Sequence, residues 1–150
     1  MISLLRTTSE HPDFIELVKL LDAYLAIIDG VEHSFYAQFN KIDMLKNVVI
    51  AYENGKAVGC GAFKPFETDK VEMKRMFVKE EMRGKKIASQ VLIELEHWAA
   101  ELGFHQYVLE TGIRQSAAIA LYRKSGYQII PNYGQYIGIE NSVCFEKKVI

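Results

Sequence analysis

Residues 71–88 read VEMKRMFVKEEMRGKKIA and run directly into SQVLIELEHWAAELG. Val71 to Val78 alternate as a β-strand should. Ile87, Val91, Leu92, Leu95, Trp98, Ala99 and Leu102 then return at helical spacing on one face, and Gly103 stops the helix. A strand that passes through a short basic turn into a helix gathers unpaired backbone N–H groups and the positive end of the helix dipole at one point. That suits a pyrophosphate. The turn lacks the three glycines of a dinucleotide-binding βαβ unit and the Gly-Lys-Ser/Thr of a phosphate loop, and by itself it fits a solvated basic helix start equally well.

Upstream of this junction, Ser3 to Arg6 fit a short first strand, and Pro12 and Asp13 mark a helix start. Phe14, Leu17, Val18, Leu21 and Leu25 share one face of that helix. Gly30 interrupts it, and Val31 to Lys46 are polar and aromatic with weak helical character. Val48 to Tyr52 and Lys56 to Phe63 are β-prone runs joined at Asn54-Gly55, whose residues both tolerate positive φ, so an antiparallel hairpin is expected. Downstream, His105 to Thr111 read as strand, Gln115 to Lys124 as a helix closed by Gly126, Tyr127 to Ile130 as strand, and Val143 to Val149 as the last strand. Strands alternate with helices in the second half while the first half supplies a hairpin. The expected fold is therefore α/β, a mixed sheet with helices on both faces, in one domain over residues 1–150.

A chain of 150 residues, 49% hydrophobic and 25% charged, is the size of one domain with a substantial core. Its formal net charge of −1 argues against a general nucleic-acid binder, which needs a broad basic face. The positive charge is local: Lys70 to Lys86 hold seven basic residues against three acidic. Cys60 and Cys144 stand in no metal-ligand spacing, so no metal and a reduced, cytoplasmic setting are expected, with both thiols buried and inert. No run reaches the 18 apolar residues of a membrane span, and the first residues lack the apolar stretch of a signal peptide.

The run from Val78 to Ala88 resembles the acyl-CoA signature of the GNAT superfamily of N-acetyltransferases, Arg/Gln-x-x-Gly-x-Gly/Ala after a hydrophobic strand. Arg83, Gly84, Ile87 and Ala88 match. Lys86 departs, since the family prefers glycine there, and its ammonium offers compensating charge. Downstream, Leu109-Glu110-Thr111-Gly112, Ala117, Ala118, Leu121-Tyr122 and Lys124-Ser125-Gly126-Tyr127 are similar to the family's later strand, helix and Leu-Tyr-x-x-x-Gly-Tyr/Phe ending. The resemblance covers roughly Val48 to Tyr127.

The resemblance implies an acetyl-CoA-dependent enzyme with acetyl-CoA as co-substrate. Two parallel strands splay apart after a bulge, and freed backbone groups at Met76, Phe77 and Val78 pair with pantetheine. The pyrophosphate falls to Arg83, Gly84, Lys85, Lys86, Ile87, Ala88 and Ser89, with Gln115 and Ser116 touching the pantetheine or the nucleotide arm. The resemblance puts the carboxylate base, directly or through water, at Glu72, six residues before Val78, and the donor to the departing thiolate at Tyr122. By strand period, Glu72, Lys74, Met76 and Val78 share one face, and Met73, Arg75 and Phe77 the other. A partner for Lys74 is the structural alternative for Glu72, and a core position with its hydroxyl at the rim is that for Tyr122. Glu110 is an alternative base or a substrate anchor.

The family often builds its substrate wall in the region of His33, Tyr36, Gln38 and Asn40. Asn132, Tyr133, Tyr136 and Asn141 crowd a loop expected to approach the same cleft, with Asn132 and Tyr133 as substrate contacts. His11, His97 and His105 are expected at the surface. The expected reaction is direct acetyl transfer to the amine of a small molecule or amino acid derivative. Acetylation of a protein lysine or N-terminus, a non-catalytic acyl-CoA sensor, and a structural protein whose basic turn meets an acidic partner are the alternatives. Family members often pair through their last strands, so a homodimer is one expectation; no nucleic-acid or membrane partner is expected.

Overall fold

The computed structural model describes residues 1–29 and 44–149. Among these residues, seven strands form one sheet in the order β1-β2-β3-β4-β5-β7-β6. β1 (Ile2–Thr7), β2 (Asn47–Glu53), β3 (Lys56–Glu67) and β4 (Lys70–Val78) form an antiparallel meander. At the hairpin between β2 and β3, Asn54 and Gly55 have φ of 51° and 79°, the double positive φ that this dipeptide was expected to take. α2 (Ile87–Glu101) then crosses over to β5 (Gln106–Gly112), which lies parallel to β4. After α3 (Ser116–Lys124), the short β6 (Gln128–Ile130) and β7 (Ser142–Lys148) complete the sheet, with β7 antiparallel to both β5 and β6.

The sheet is buried on both faces. α1 (Pro12–Asp29) sets Phe14, Leu17, Val18, Leu21 and Leu25 on Val48, Ile50, Cys60, Ala62 and Phe77. On the other face α2 buries Ile87, Val91, Leu92, Leu95 and Ala99 against Val49, Ala51, Phe63, Val71, Met73 and Val78. α2 is also tied at both edges. Arg6 of β1 reaches Glu94 at 2.7 Å and Glu101 at 2.8 Å. Glu96 takes Tyr127 Oη at 2.8 Å and Lys147 Nζ at 2.9 Å, while its carbonyl accepts from Tyr107. Polar links to β1 on one side and to β5–β7 on the other fix the spacing of the two halves of the sheet.

Three expectations about local structure need correction. β3 continues through Pro65 to Glu67 instead of ending at Phe63. β2 pairs only as far as Phe63, so Lys64 to Glu67 form an edge on that side and the missing N–H of Pro65 breaks no ladder there. Leu102 is 53% exposed, because the helix ends at Glu101 and the chain turns before Leu102 can reach the core. The third correction concerns β4. Ala62 pairs with Lys74 but Cys60 pairs with Phe77, so β4 carries one extra residue, and Arg75 takes φ 59° to absorb it.

That bulge reverses the alternation. Glu72 and Lys74 share a face with Phe77, on the α1 side, whereas Met76 and Val78 fall with Met73 on the α2 side. Gly61 on β3 makes room for it: a Cβ there would collide with Met76 Sδ and lie 2.9 Å from Leu95 Cδ1 and 3.0 Å from Val91 Cγ1. A Gly61→Val variant is accordingly expected to lose about 1–3 kcal/mol of stability, the usual cost of overpacking. Denaturant unfolding measures it, and an unchanged midpoint would show that the bulge does not depend on this glycine.

Candidate active site

The parallel pairing of β4 and β5 lasts for three residue pairs, Lys70–Gln106, Val71–Tyr107 and Glu72–Val108. β5 keeps its ladder with β7 to Gly112, and β4 keeps its ladder with β3 to Val78. Each strand therefore follows its own half of the sheet, and a wedge opens between them beyond Glu72. On the wedge side the backbone of Met73 to Val78 has no neighbouring strand among the described residues, so its polar groups are open to an extended ligand.

A cleft of about 270 Å³ fills the wedge on the α2 side of its mouth. Met76, Phe77, Val78, Arg83, Gly84, Lys86, Ile87, Ala88, Ser89, Gln115, Ala117, Leu121 and Tyr122 line it, with Leu21 and Tyr24 from α1. At its end a single 3₁₀ turn (Glu80–Met82) leads to the start of α2. Arg83 folds over this corner, its Nε donating to the Val78 carbonyl at 3.2 Å and its guanidinium lying 4.6 Å from the centre of the Tyr24 ring. The Lys86 side chain makes no capping hydrogen bond to α2, and no described side chain takes its place. The first N–H groups of a 15-residue helix are thus left for an anion, beside Gly84 at φ 83°.

Lys86, at the N-cap position of α2, sits at φ 64° and ψ 21°. This left-handed conformation is where glycine alone carries no steric penalty, which explains why glycine is the residue expected there. Lys86→Gly should relieve about 1 kcal/mol of strain and raise the thermal midpoint by a few degrees, whereas Lys86→Ala should not. Scanning calorimetry of the two variants distinguishes them; equal midpoints would mean that the backbone is unstrained.

A second cavity of about 80 Å³ continues from the first towards the α1 side. Leu21, Met76, Gln115 and Tyr122 line both. Its polar wall comes from the bulged strand and from β5: Glu72, Lys74, Arg75, Glu110 and Thr111. Glu72 is 2% exposed. Tyr133 Oη donates to its Oε2 at 2.6 Å, and Lys64 and Lys74 each lie 3.9 Å from its Oε1. Burial and the Glu72 charge together push the Tyr133 phenol well above its ordinary range, so it remains a donor to the carboxylate. Burial lowers the pKa of Lys74, with Glu72 pulling the other way. Arg75 Nη1 reaches Asp22 of α1 at 2.8 Å, while its Nε is buried with no hydrogen-bond partner among the described residues, one cost of holding the bulge.

Tyr122 stands where the two cavities meet. Its ring packs on Tyr127 and Phe145 at 5.9 and 5.8 Å. Burial and the Glu110 charge raise its pKa, so it is protonated at neutral pH, and its hydroxyl has no hydrogen-bond partner among the described residues. Cys60 and Cys144 are buried and their thiols are pushed up to about 12 and about 11, which makes them poor nucleophiles.

The structure brings most of the expected residues to the two cavities and leaves several out. Lys85 lies outside both, its Nζ 3.9 Å from Met82 Sδ, and Ser116 begins α3 without lining either. Asn132 is spent on its own loop, donating to the carbonyls of Tyr136 and Ile139 at 3.0 and 2.9 Å. Tyr133 touches Glu72 without lining the second cavity, and Glu110 lines that cavity while accepting from Ser142 Oγ at 2.7 Å. His33 and Tyr36 lie outside the described residues. Lys74, Arg75 and Thr111 line the second cavity although the sequence had not placed them in the site, and Tyr136, expected only on a loop approaching the cleft, joins them. The two-residue spacing of Lys74 from Glu72 carried a signal; Tyr136 had none beyond its aromatic loop.

A splayed parallel pair, a bulge on the first strand and an uncapped helix at the end of the wedge define an acyl-CoA N-acyltransferase fold. The family model described as "Acetyltransferase (GNAT) family" matches residues 14–127. The IAA acetyltransferase of Azospirillum brasilense is 32% identical over 150 residues, 97% of each chain. The uncharacterized N-acetyltransferase YsnE of Bacillus subtilis is 34% identical over 101 residues, 66% of this chain and 67% of that one. A Klebsiella pneumoniae structure assigned as an acyl-CoA N-acyltransferase superposes with a TM-score of 0.84 at 30% identity, covering 100% of this chain and 99% of that one. A GNAT family acetyltransferase of Elizabethkingia anophelis, solved with acetyl-CoA bound, shares the fold with a TM-score of 0.68 at 18% identity, covering 99% and 98%. The chain belongs to the GNAT acetyltransferase family and is an N-acetyltransferase. None of the described helices is long and apolar enough to cross a membrane.

Proposed function

We propose that this protein transfers the acetyl group of acetyl-CoA directly to the amine of a small molecule or amino acid derivative. The observation that carries this reading is the meeting of the two cavities at Tyr122, with the uncapped α2 start on one side and Glu72 on the other. When bound, the thioester supplies an activated acyl group and a thiolate leaving group. The N–H groups from Gly84 to Ser89 and the Arg83 guanidinium hold the diphosphate, and the open edge of Met76 to Val78 receives the pantetheine arm. Glu72 takes the proton of the acceptor ammonium, directly or through water, since only the neutral amine attacks. Tyr133 keeps that carboxylate oriented. Tyr122 donates a hydrogen bond to the sulfur; a phenol whose pKa is raised stabilises a thiolate as a donor more readily than by giving up its proton outright.

Tyr136 is 2% exposed in the cavity wall and Tyr133 bonds to Glu72, so the β6–β7 loop forms one wall of the acceptor side. A cavity of about 80 Å³ favours a small acceptor over a peptide. The test is thiol release from acetyl-CoA across amino acids, polyamines, aminoglycosides and peptides. Saturable release with a small acceptor and none with peptides is expected. Tight coenzyme A binding with no release across the panel would instead make the protein an acyl-CoA sensor.

A further inference from the structure

Arg83 follows the 3₁₀ turn at the end of the wedge and is an exposed residue. A long, exposed side chain ordinarily samples many rotamers, and fixing one of them when a ligand binds lowers affinity. Two contacts within the protein restrict this one. The Lys79 N–H donates to the Val58 carbonyl of β3 at 2.9 Å, so the carbonyl on the opposite side of the same trans peptide, that of Val78, points into the wedge. Arg83 Nε donates to that carbonyl at 3.2 Å. The second contact comes from α1, where the centre of the Tyr24 ring lies 4.6 Å from the guanidinium carbon, within the range of a cation–π attraction.

The kind of contact matters. Arg6 is held by Glu94 and Glu101, and Arg75 by Asp22, whereas no carboxylate lies within ion-pair distance of Arg83 among the described residues. A carboxylate would fix the guanidinium but occupy the N–H groups that a phosphate needs. An aromatic ring fixes it without using any of them, and leaves Nη1 and Nη2 as a fork that matches two phosphate oxygens. Tyr24 also lines the same cleft, and Asp22, two residues earlier on α1, holds Arg75 in the wall of the second cavity. We propose that Tyr24 is a positioning residue for the co-substrate, its ring holding Arg83 in the rotamer whose remaining N–H groups meet the diphosphate. This inference rests on the placement of the diphosphate in the transfer reading above.

The test is a double-mutant cycle on the full chain, read as coenzyme A affinity by calorimetry. Tyr24→Leu should weaken binding about 3- to 10-fold, the cost of ordering one released side chain, and Tyr24→Phe, which keeps the ring, should restore most of it. Arg83→Met should weaken binding about 10- to 100-fold, the range for a hydrogen bond to a charged group. In the Arg83→Met background, Tyr24→Leu is expected to change affinity by less than about 2-fold. A tyrosine that only packed on the pantetheine arm or supported α1 would cost the same in either background. An equal loss in both backgrounds, no loss in Tyr24→Leu, or a Phe variant as weak as the Leu variant overturns the inference; if Arg83→Met still weakens binding, the diphosphate stays at Arg83. Arg83→Met binding as tightly as the wild type removes the diphosphate from the guanidinium, and the inference falls with it. Coupling between the two residues in a protein that releases no thiol refutes acetyl transfer and leaves the inference standing.

Discussion

Glu72→Gln is expected to lower kcat/KM for the acceptor by about 10²- to 10³-fold at neutral pH, within the usual range for loss of a general base. The loss should be largest at low pH, where few acceptor molecules are already neutral, and should shrink as the pH approaches the pKa of the amine. The amide keeps an oxygen for the Tyr133 hydroxyl, which is 2.6 Å from Glu72, so the loop contact has an acceptor in the variant. Glu72 lines only the acceptor-side cavity, so coenzyme A affinity should be nearly unchanged. A pH–rate profile beside a coenzyme A titration checks both halves. Wild-type turnover across the whole pH range would remove Glu72 from the role of base.

Tyr122→Phe should slow kcat by about 10²-fold, the lower end for an acid or donor at a leaving group. Its ring contacts with Tyr127 and Phe145 survive the change, and the lost hydroxyl leaves no buried partner behind among the described residues. Stability should therefore change little. Tyr127 provides the contrast, since its hydroxyl donates to Glu96 at 2.8 Å and its removal would strip a buried carboxylate of a donor. Single-turnover rates with matched unfolding curves separate the two outcomes for Tyr122. A Phe variant as fast as wild type would leave the residue a packing role alone.

Much of this architecture was legible before any coordinates. Asn54-Gly55 announced its hairpin, because few residues besides these accept two successive positive φ angles. The apolar spacing of α1 and α2 predicted their buried faces, since a helix can bury only residues that return every 3.6 positions. The corner proposed for the diphosphate was visible for a different reason: the groups it offers are backbone N–H, and the chain signals it with a strand, a turn and a helix start.

The acceptor side was harder to read, and β4 shows why. One additional residue at Arg75 reverses which side chains face α1, and an arginine at positive φ has no signature in composition or period. The bulge is decided by the neighbouring strand, where Gly61 leaves the space that Met76 fills. Glu72 and Lys74 precede the bulge and so kept their predicted face, while Met76 and Phe77 exchanged theirs. In the loop after β6, Asn132, Tyr133 and Tyr136 read alike as polar and aromatic residues. Only packing separates a strap for the loop itself, a hydrogen-bond donor to Glu72 and a wall of the cavity.

Every step proposed here depends on where the diphosphate of the co-substrate is held. A crystal structure of the protein with coenzyme A decides it. The diphosphate is expected within hydrogen-bond distance of main-chain N–H groups between Gly84 and Ser89, beside Arg83, with the pantetheine arm lying along Met76 to Val78. A diphosphate bound elsewhere, or that corner filled by the protein's own side chains, would contradict it.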